Sequence, residues 1–445
     1  MAKQEKAMVE DIRKKGEENS REWYKFLRGE NSTEIETPKL IIVDGITITN
    51  EEDITKEIEK FWRNILDGGD ESYEINSTLG QQDLSDIDHE ITRVEIREYL
   101  KILKNNKSPG PDNIPYEMFK NGGEWVVHTL HELFTTILRE EKVPIDWNNN
   151  KVKLLHKGGH KSKKELKNYR PVALSNTLAK IFCGILNKRM KAICEEKEIL
   201  GQEQNGFRED RRGEDNLYVV KELINRCVKD KQEGYFAFLD LEKAYDKIDR
   251  GILCKVLIGV GFSDKIVNII KDMYTNTKTK FNLGVLETGW VQQKKGVRQG
   301  CTLSPLLFNL YLEELAIRIR RSGLGMKVGR DTIGLLLYAD DVIVMAETND
   351  MLQKMLDIVQ TYADEFHMKF STEKSGVIVV NDEMNDKWCL GDGEIRKLKE
   401  CKYLGLCINK GGCEKCKGDK IYKAQQWLGR LAGVAEFRAN KYEVI

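Results

Sequence analysis

The sequence predicts an α+β fold, with helices packed over a sheet of buried strands. Two strongly apolar, strand-like stretches, Tyr235–Leu241 and Ile333–Ala346, carry the sheet signal. Long amphipathic helical patterns at Trp125–Glu140, Ala179–Glu195 and Asp215–Lys231 precede them. Strands and helices mix without a regular βαβ alternation, which argues against a doubly wound parallel sheet.

Taken in order, residues 1–90 read as an acidic, mostly helical extension. Trp23, Phe26 and Leu27 mark one amphipathic patch, and Ile54, Ile58, Phe61, Trp62 and Ile65 a second at helical spacing. Between them, Leu40 to Ile48 reads as a β-hairpin around the Asp44-Gly45 turn. The polar run from Asp67 to Asp88 reads as a linker. Thr92–Leu103 is the next helix, and Lys107-Ser108-Pro109-Gly110-Pro111-Asp112 is a turn-forming cluster through which no helix continues. Near Ser304, a serine cap followed by Pro305 starts a helix that buries Leu306, Phe308, Leu310 and Leu312.

Composition bounds the function classes. With 445 residues, 40% hydrophobic, 32% charged and only seven prolines, the chain is globular and long enough for more than one core. No stretch approaches the roughly 18 apolar residues of a membrane span, and the N-terminus lacks the apolar core of a secretion signal. Most of the ten cysteines sit alone in apolar stretches, as reduced thiols do inside cells, so nucleus and cytoplasm are the expected compartments. The zero net charge hides a division. Residues 1–100 carry 14 basic against 25 acidic side chains, whereas Lys151 to Lys191 holds 12 basic and one acidic. A block of one sign is the footprint of a polyanionic partner.

The chemistry lies in three carboxylates. Phe236-Ala237-Phe238-Leu239-Asp240 is a buried strand ending in an acid, and Leu335–Tyr338 and Val342–Ala346 are apolar runs flanking Asp340 and Asp341. Carboxylates inside such stretches would cost several kcal/mol each without compensation. A hairpin with the acids at its turn, facing a cation, removes that cost. Hard oxygen donors suit Mg²⁺, and Asp240 with Asp340 would bridge two ions about 3.5–4 Å apart, one activating a hydroxyl and the other neutralising departing phosphate.

Tyr338-Ala339-Asp340-Asp341 between its apolar runs resembles the catalytic hairpin of reverse transcriptases. Phe238-Leu239-Asp240 with Ala244-Tyr245 is similar to their other metal-binding strand, and Gly296-Val297-Arg298-Gln299-Gly300-Cys301-Thr302-Leu303-Ser304-Pro305-Leu306 to the long motif between them, in the order that family requires. Asn168-Tyr169-Arg170-Pro171-Val172-Ala173-Leu174-Ser175 and Gln204-Asn205-Gly206-Phe207-Arg208 resemble two further motifs of the non-LTR retrotransposon (LINE) group. Lys107 to Pro115 resembles a segment typical of LINE enzymes. Arg298 stands where group II intron enzymes usually carry proline, which disfavours an intron-maturase-like factor.

The resemblance implies a right-hand polymerase with fingers and an antiparallel palm at 91–410 and the start of a truncated thumb at 411–445. It implies an RNA-directed DNA polymerase that takes two Mg²⁺ ions, with Mn²⁺ as substitute, and extends a DNA or RNA primer with deoxynucleotides on an RNA template, holding an RNA–DNA hybrid. By the same carry-over Asp240, Asp340 and Asp341 hold the metals. Lys157, Arg170, Leu241, Tyr245, Gln299 and Gly300 surround the incoming nucleotide. Lys374 protonates pyrophosphate, and Lys402, Tyr403, Leu404 and Gly405 grip the primer. A bulky ring at Tyr245 would collide with a ribose 2′-hydroxyl and so select deoxynucleotides. Ser371 stands where the family commonly has asparagine, which places the expected departure in loop geometry. The other readings are a weakly catalytic remnant that binds RNA, and the maturase-like factor. Cys401, Cys407, Cys413 and Cys416 match no zinc-finger spacing, and His156 and His160 lack the carboxylate of a metalloprotease motif.

Overall fold

The computed structural model describes residues 37–68, 82–158, 161–382 and 387–411. The chain divides into two compact units. One comprises Thr37–Leu404 with Ile408–Gly412; the other holds Gly405–Cys407 with residues 1–36 and 413–445. The patch at Trp23, the Cys413/Cys416 pair and the expected thumb lie outside the described residues.

The first unit is built on a six-stranded sheet in the order Leu335–Tyr338, Asp341–Ala346, Gly234–Asp240, Gly376–Val380, Gly393–Lys397, Trp388–Leu390. Its pairs are antiparallel except Gly376–Val380 with Gly393–Lys397. Period-two alternation sorts the central strand onto two cores. Phe236 and Phe238 join Val220, Leu223, Ile224 and Cys227 of the Gly213–Asp230 helix. Tyr235, Ala237 and Leu239 join the larger core, to which the Ser304–Ser322 and Asn349–Glu365 helices contribute. Both faces of the central strand are therefore dry, and each large apolar side chain buried there contributes about 1.5–3 kcal/mol. The Thr177–Glu196 helix runs through the same core with Ile181, Phe182, Ile185, Leu186 and Met190 all 2% exposed or less.

A second, five-stranded sheet sets Tyr169–Leu174 beside Asn149–His156, then Lys278–Leu283 parallel to it, with Leu286–Glu287 and Val291–Gln292 both on the last. The Glu51–Leu66 helix packs here: Asn50 caps it, Ile54, Ile58, Trp62 and Leu66 are buried, and Trp62 stacks on Phe281 with centroids 5.1 Å apart. The preceding hairpin, Ile41–Val43 with Ile46–Ile48, turns through Asp44 at φ 49° and Gly45 at φ 80°, the left-handed pair that a type I′ turn requires. Four other helices read from the sequence fall within two residues of that reading, at Arg93–Ile102, Gly123–Glu140, Thr177–Glu196 and Gly213–Asp230, whereas those at Arg250–Val260, Asp264–Tyr274 and Asn349–Glu365 were not read.

Two expectations change. The stretch from Asp67 to Asp88 is not all linker. Leu84 and Ile87 are buried, and Gln82 and Leu84 donate backbone hydrogen bonds to the carbonyls of Val260 and Gly261. Gly261 permits this because a Cβ there would stand 1.6 Å from the Gln82 carbonyl oxygen. Near Ser304, the helix begins one residue earlier than the Ser–Pro pattern suggests. Leu303 occupies the cap position, no side chain caps, and Ser304 lies inside, its hydroxyl 3.5 Å from that of Tyr274. Pro305 still falls in the first turn, where no N–H is missed.

Candidate active site

Asp341 lies directly opposite Asp240 across the antiparallel pair, and Ala339 and Asp340 form the two-residue turn of the adjoining hairpin. The strand pairing alone thus brings together acids a hundred positions apart in sequence. Asp240 is fixed by its backbone. Its N–H donates to the Ser375 hydroxyl at 3.1 Å, and its carbonyl accepts from the Ser371 N–H at 2.8 Å. The backbone at Ser371 therefore keeps a loop bonded to the strand end. Crowding by the protein shapes the acids. Burial pushes Asp341 up to about 6, with the charges of Asp340 and Asp240 adding to it. Burial also raises Asp340, and Asp240 adds to this while Arg170 opposes it.

Cations face this cluster. Lys374 Nζ lies 3.2 Å from Asp240 Oδ2, with both side chains partly open to solvent. Arg170 lies on the Tyr169–Leu174 strand of the second sheet, and Lys157 directly follows the neighbouring Asn149–His156 strand. Burial holds the Lys157 ammonium below its ordinary value, and Lys161, Lys374 and Arg170 lower it further by repulsion. Lys157 Nζ donates to the Lys167 carbonyl at 2.9 Å. Lys161, Lys163 and Lys164 are exposed.

Tyr245 is half-buried and stacks on Phe308, centroids 4.9 Å apart and planes 13° off parallel; burial and then Asp340 raise its phenol. Leu241 is buried and bridges to Phe370. The Gln299 carbonyl accepts from the Ala173 N–H at 2.7 Å, and the Gln299 side-chain oxygen is buried without a hydrogen-bond partner. Gly300 has φ 117°, and a Cβ there would lie 2.8 Å from the Ala173 carbonyl oxygen, so the close approach that its glycine serves is to the Tyr169–Leu174 strand. Arg298, read in the sequence as a subtype marker, is buried. It donates to the Met273 carbonyl and to Asn148 Oδ1 and lies over the Tyr274 ring. Tyr403 is buried against Phe238, and its hydroxyl accepts from Asn216 Nδ2 at 3.0 Å. Lys402 is exposed, and Leu404 at φ 45° opens a turn. Gly405, at φ 81°, falls in the other unit.

The three acids supply hard oxygen donors from adjoining strands, the donor chemistry of a divalent cation. Among the described residues no three His, Cys, Asp or Glu side chains are drawn together as a ready metal cage. The raising of Asp340 and Asp341, by burial first and then by the neighbouring acids, Asp240 acting on both, is nevertheless the electrostatic condition that a bound cation relieves.

The profile of the family described as reverse transcriptase (RNA-dependent DNA polymerase) matches residues 160–408, a span that includes every residue of this cluster except Lys157. The chain belongs to that family. The relatives it resembles are proteins of non-LTR retrotransposons, as the sequence motifs imply. The transposon TX1 uncharacterized 149 kDa protein of Xenopus laevis is 26% identical over 83% of this chain and 29% of its own length. The probable RNA-directed DNA polymerase from transposon BS of Drosophila melanogaster is 24% identical over 78% of this chain and 40% of its own. The chain thus spans well under half the length of these relatives. Among solved structures, apo telomerase of Candida tropicalis truncated from its C-terminal domain aligns with 64% of this chain and 59% of its own at TM-score 0.41 and 15% identity. Reverse transcriptases generally use divalent metal ions, and the acids of this member are of the type that binds them. Sequence reasoning named the acids and their facing cations, but gave Ser375 and Gln204 no role. The Ser375 hydroxyl accepts from the Asp240 N–H and the Gln204 side chain from the N–H of Ala339, the neighbour of Asp340, each across more than 130 positions of sequence. The one signal in the sequence was a polar residue inside a motif otherwise explained.

Proposed function

We propose that the chain is an RNA-directed DNA polymerase that extends a DNA or RNA primer with deoxynucleotides on an RNA template, as in LINE-type retrotransposition. The observation that carries this reading is the register of Asp341 on Asp240 beside the Asp340 turn, with Lys374, Arg170 and Lys157 facing it. Asp240, Asp340 and Asp341 would hold two Mg²⁺ ions, for which Mn²⁺ is a substitute; such ions lower the pKa of a primer 3′-hydroxyl and neutralise the leaving pyrophosphate.

The chain's own residues do the remaining work. Arg170 and Lys157 hold the triphosphate by charge-assisted hydrogen bonds. Lys374, already beside Asp240, is placed to give a proton to the departing pyrophosphate. Tyr245, Leu241, Gln299 and Gly300 line the nucleotide site, with the Tyr245 ring, braced flat by Phe308, excluding a 2′-hydroxyl. Lys402, Tyr403 and Leu404 would lie against the primer end. Residues 91–410 form the fingers and palm.

Primer extension on an RNA template with Mg²⁺ and deoxynucleotides tests the reading. Asp240→Asn and Asp340→Asn should each abolish extension while leaving RNA binding and thermal unfolding near the parent. Extension close to parental in either variant overturns the metal assignment. A parent that binds RNA but adds no nucleotide overturns the polymerase reading and leaves an RNA-binding remnant.

A further inference from the structure

The turn that carries Asp340 is held in a conformation its own sequence disfavours. Ala339 sits at φ 56°, a left-handed position at the first turn residue that usually calls for glycine. Such a residue persists where its surroundings over-determine it, and here the restraint comes from residues 203–206. Gln204 bridges in parallel to Leu337, the Leu337 N–H donates to the Glu203 carbonyl at 2.8 Å, and the Asn205 N–H donates to the Leu337 carbonyl at 3.0 Å. The segment thus runs along the free edge of the hairpin.

Gln204, 1% exposed, reaches the turn itself. Its Oε1 accepts from the Ala339 N–H at 3.2 Å and from the Gly206 N–H at 2.8 Å. Both neighbours are donors, so the amide can face them only with its oxygen. Its Nε2 is buried without a hydrogen-bond partner. Gly206 must lack a side chain, because a Cβ would stand 2.2 Å from the Ala339 nitrogen; its carbonyl accepts from Asn309 Nδ2 of the Ser304–Ser322 helix at 2.8 Å. Behind the turn, Asn205 Nδ2 donates to Asn216 Oδ1, and Asn216 Nδ2 donates to the Leu337 carbonyl and to the Tyr403 hydroxyl. A buried amide chain therefore ties the acid-bearing hairpin to Tyr403.

We propose that Gln204 is a positioning residue for the polymerase reaction: its side-chain oxygen fixes the Ala339 amide and thereby aims the Asp340 carboxylate. The working atom is the acceptor oxygen, since the amide nitrogen bonds nothing. The inference rests on the polymerase reading for its kinetic consequence, but not for its structural one.

The test compares the parent with Gln204→Met, which keeps length and loses the acceptor, and Gln204→Glu, which keeps the acceptor. Amide hydrogen exchange at Ala339, single-turnover nucleotide addition and thermal unfolding are measured for each. In Gln204→Met, exchange at Ala339 should quicken about fivefold to tenfold, as loss of one hydrogen bond implies, while the Asn205 amide stays protected. Its rate of addition should fall by roughly tenfold or more, as for a small misplacement of reacting groups, with the deoxynucleotide KM unchanged. Gln204→Glu should keep Ala339 protected and recover most of the rate. Unchanged exchange at Ala339 in Gln204→Met, or a Glu variant no better than Met, overturns the proposal. If no protein in the set, parent included, adds nucleotides, the exchange data still decide whether Gln204 holds the turn, and the polymerase reading fails separately.

Discussion

Tyr245 shows how much one residue's surroundings alter what its sequence position implies. Its ring stacks on Phe308 and so is at once a packing element and the proposed barrier to a 2′-hydroxyl. Tyr245→Phe keeps both the ring and the stack and should discriminate between nucleotides as the parent does. Tyr245→Val removes the ring and should admit ribonucleotides while still adding deoxynucleotides, read as the ratio of the two incorporation rates. An unchanged ratio in an active Val variant would reduce Tyr245 to packing. Asp341 makes a second prediction through linkage. Its carboxyl is raised from the usual value near 3.8 to about 6, so between those values the folded protein binds more protons than the unfolded chain. Stability associated with Asp341 is therefore present at low pH and lost as pH rises through about 6. Metal-free Asp341→Asn should unfold at a higher temperature than the parent at neutral pH, with the gain vanishing as pH falls below about 4. A gain that persists in acid would mean that neither burial of the charge nor repulsion among the acids is its source.

Among the elements, the Arg93–Ile102 helix depends on one side chain with two tasks. Glu95 closes a capping box with Thr92 and pairs with buried Arg189 at 2.7 Å, while Arg189 also donates to the carbonyls of Ile87, His89 and Glu90. Burial alone would raise Glu95; the hydrogen bonds from Arg189 and Thr92 overcome it and take the carboxyl down to about 2. Because the folded value is depressed, this stability is present above about 4.5 and lost as pH falls towards 2. Glu95→Ala should cost about 2–3 kcal/mol in denaturant unfolding at neutral pH, since it removes a cap and strands a buried guanidinium. The deficit should shrink in acid; a constant deficit would assign the loss to packing. The helix over Thr92–Leu103 was readable in the sequence, as were the hairpin at Asp44-Gly45 and the continuous apolar run that marks Gly234–Asp240 as a buried strand. What was not readable is the Glu95–Arg189 pair. A hydrogen bond between residues 94 positions apart leaves no period in the sequence, and the same holds for Ser375 on Asp240 and Gln204 on Ala339.

For the whole molecule, charge division predicts how the chain meets nucleic acid. The basic block includes the Asn149–His156 and Tyr169–Leu174 strands, and the lysines between them project from its surface. Replacing Lys161, Lys163 and Lys164 together by Gln should flatten the dependence of log Kd on log salt by roughly 0.7–0.9 for each phosphate no longer neutralised. An unchanged slope in a binding titration would place the phosphate path elsewhere. The sheet order has a different consequence, for synthesis rather than for binding. Gly234–Asp240 is central, yet both strands that flank it, Asp341–Ala346 and Gly376–Val380, come later in the chain. During translation an apolar strand containing Phe236 and Phe238 must wait with both edges open, a state prone to wrong pairing. The acids therefore meet only when most of the chain has been made. A ribosome that stalls between residues 240 and 341 leaves not a half-active enzyme but an unprotected strand for chaperones to cover.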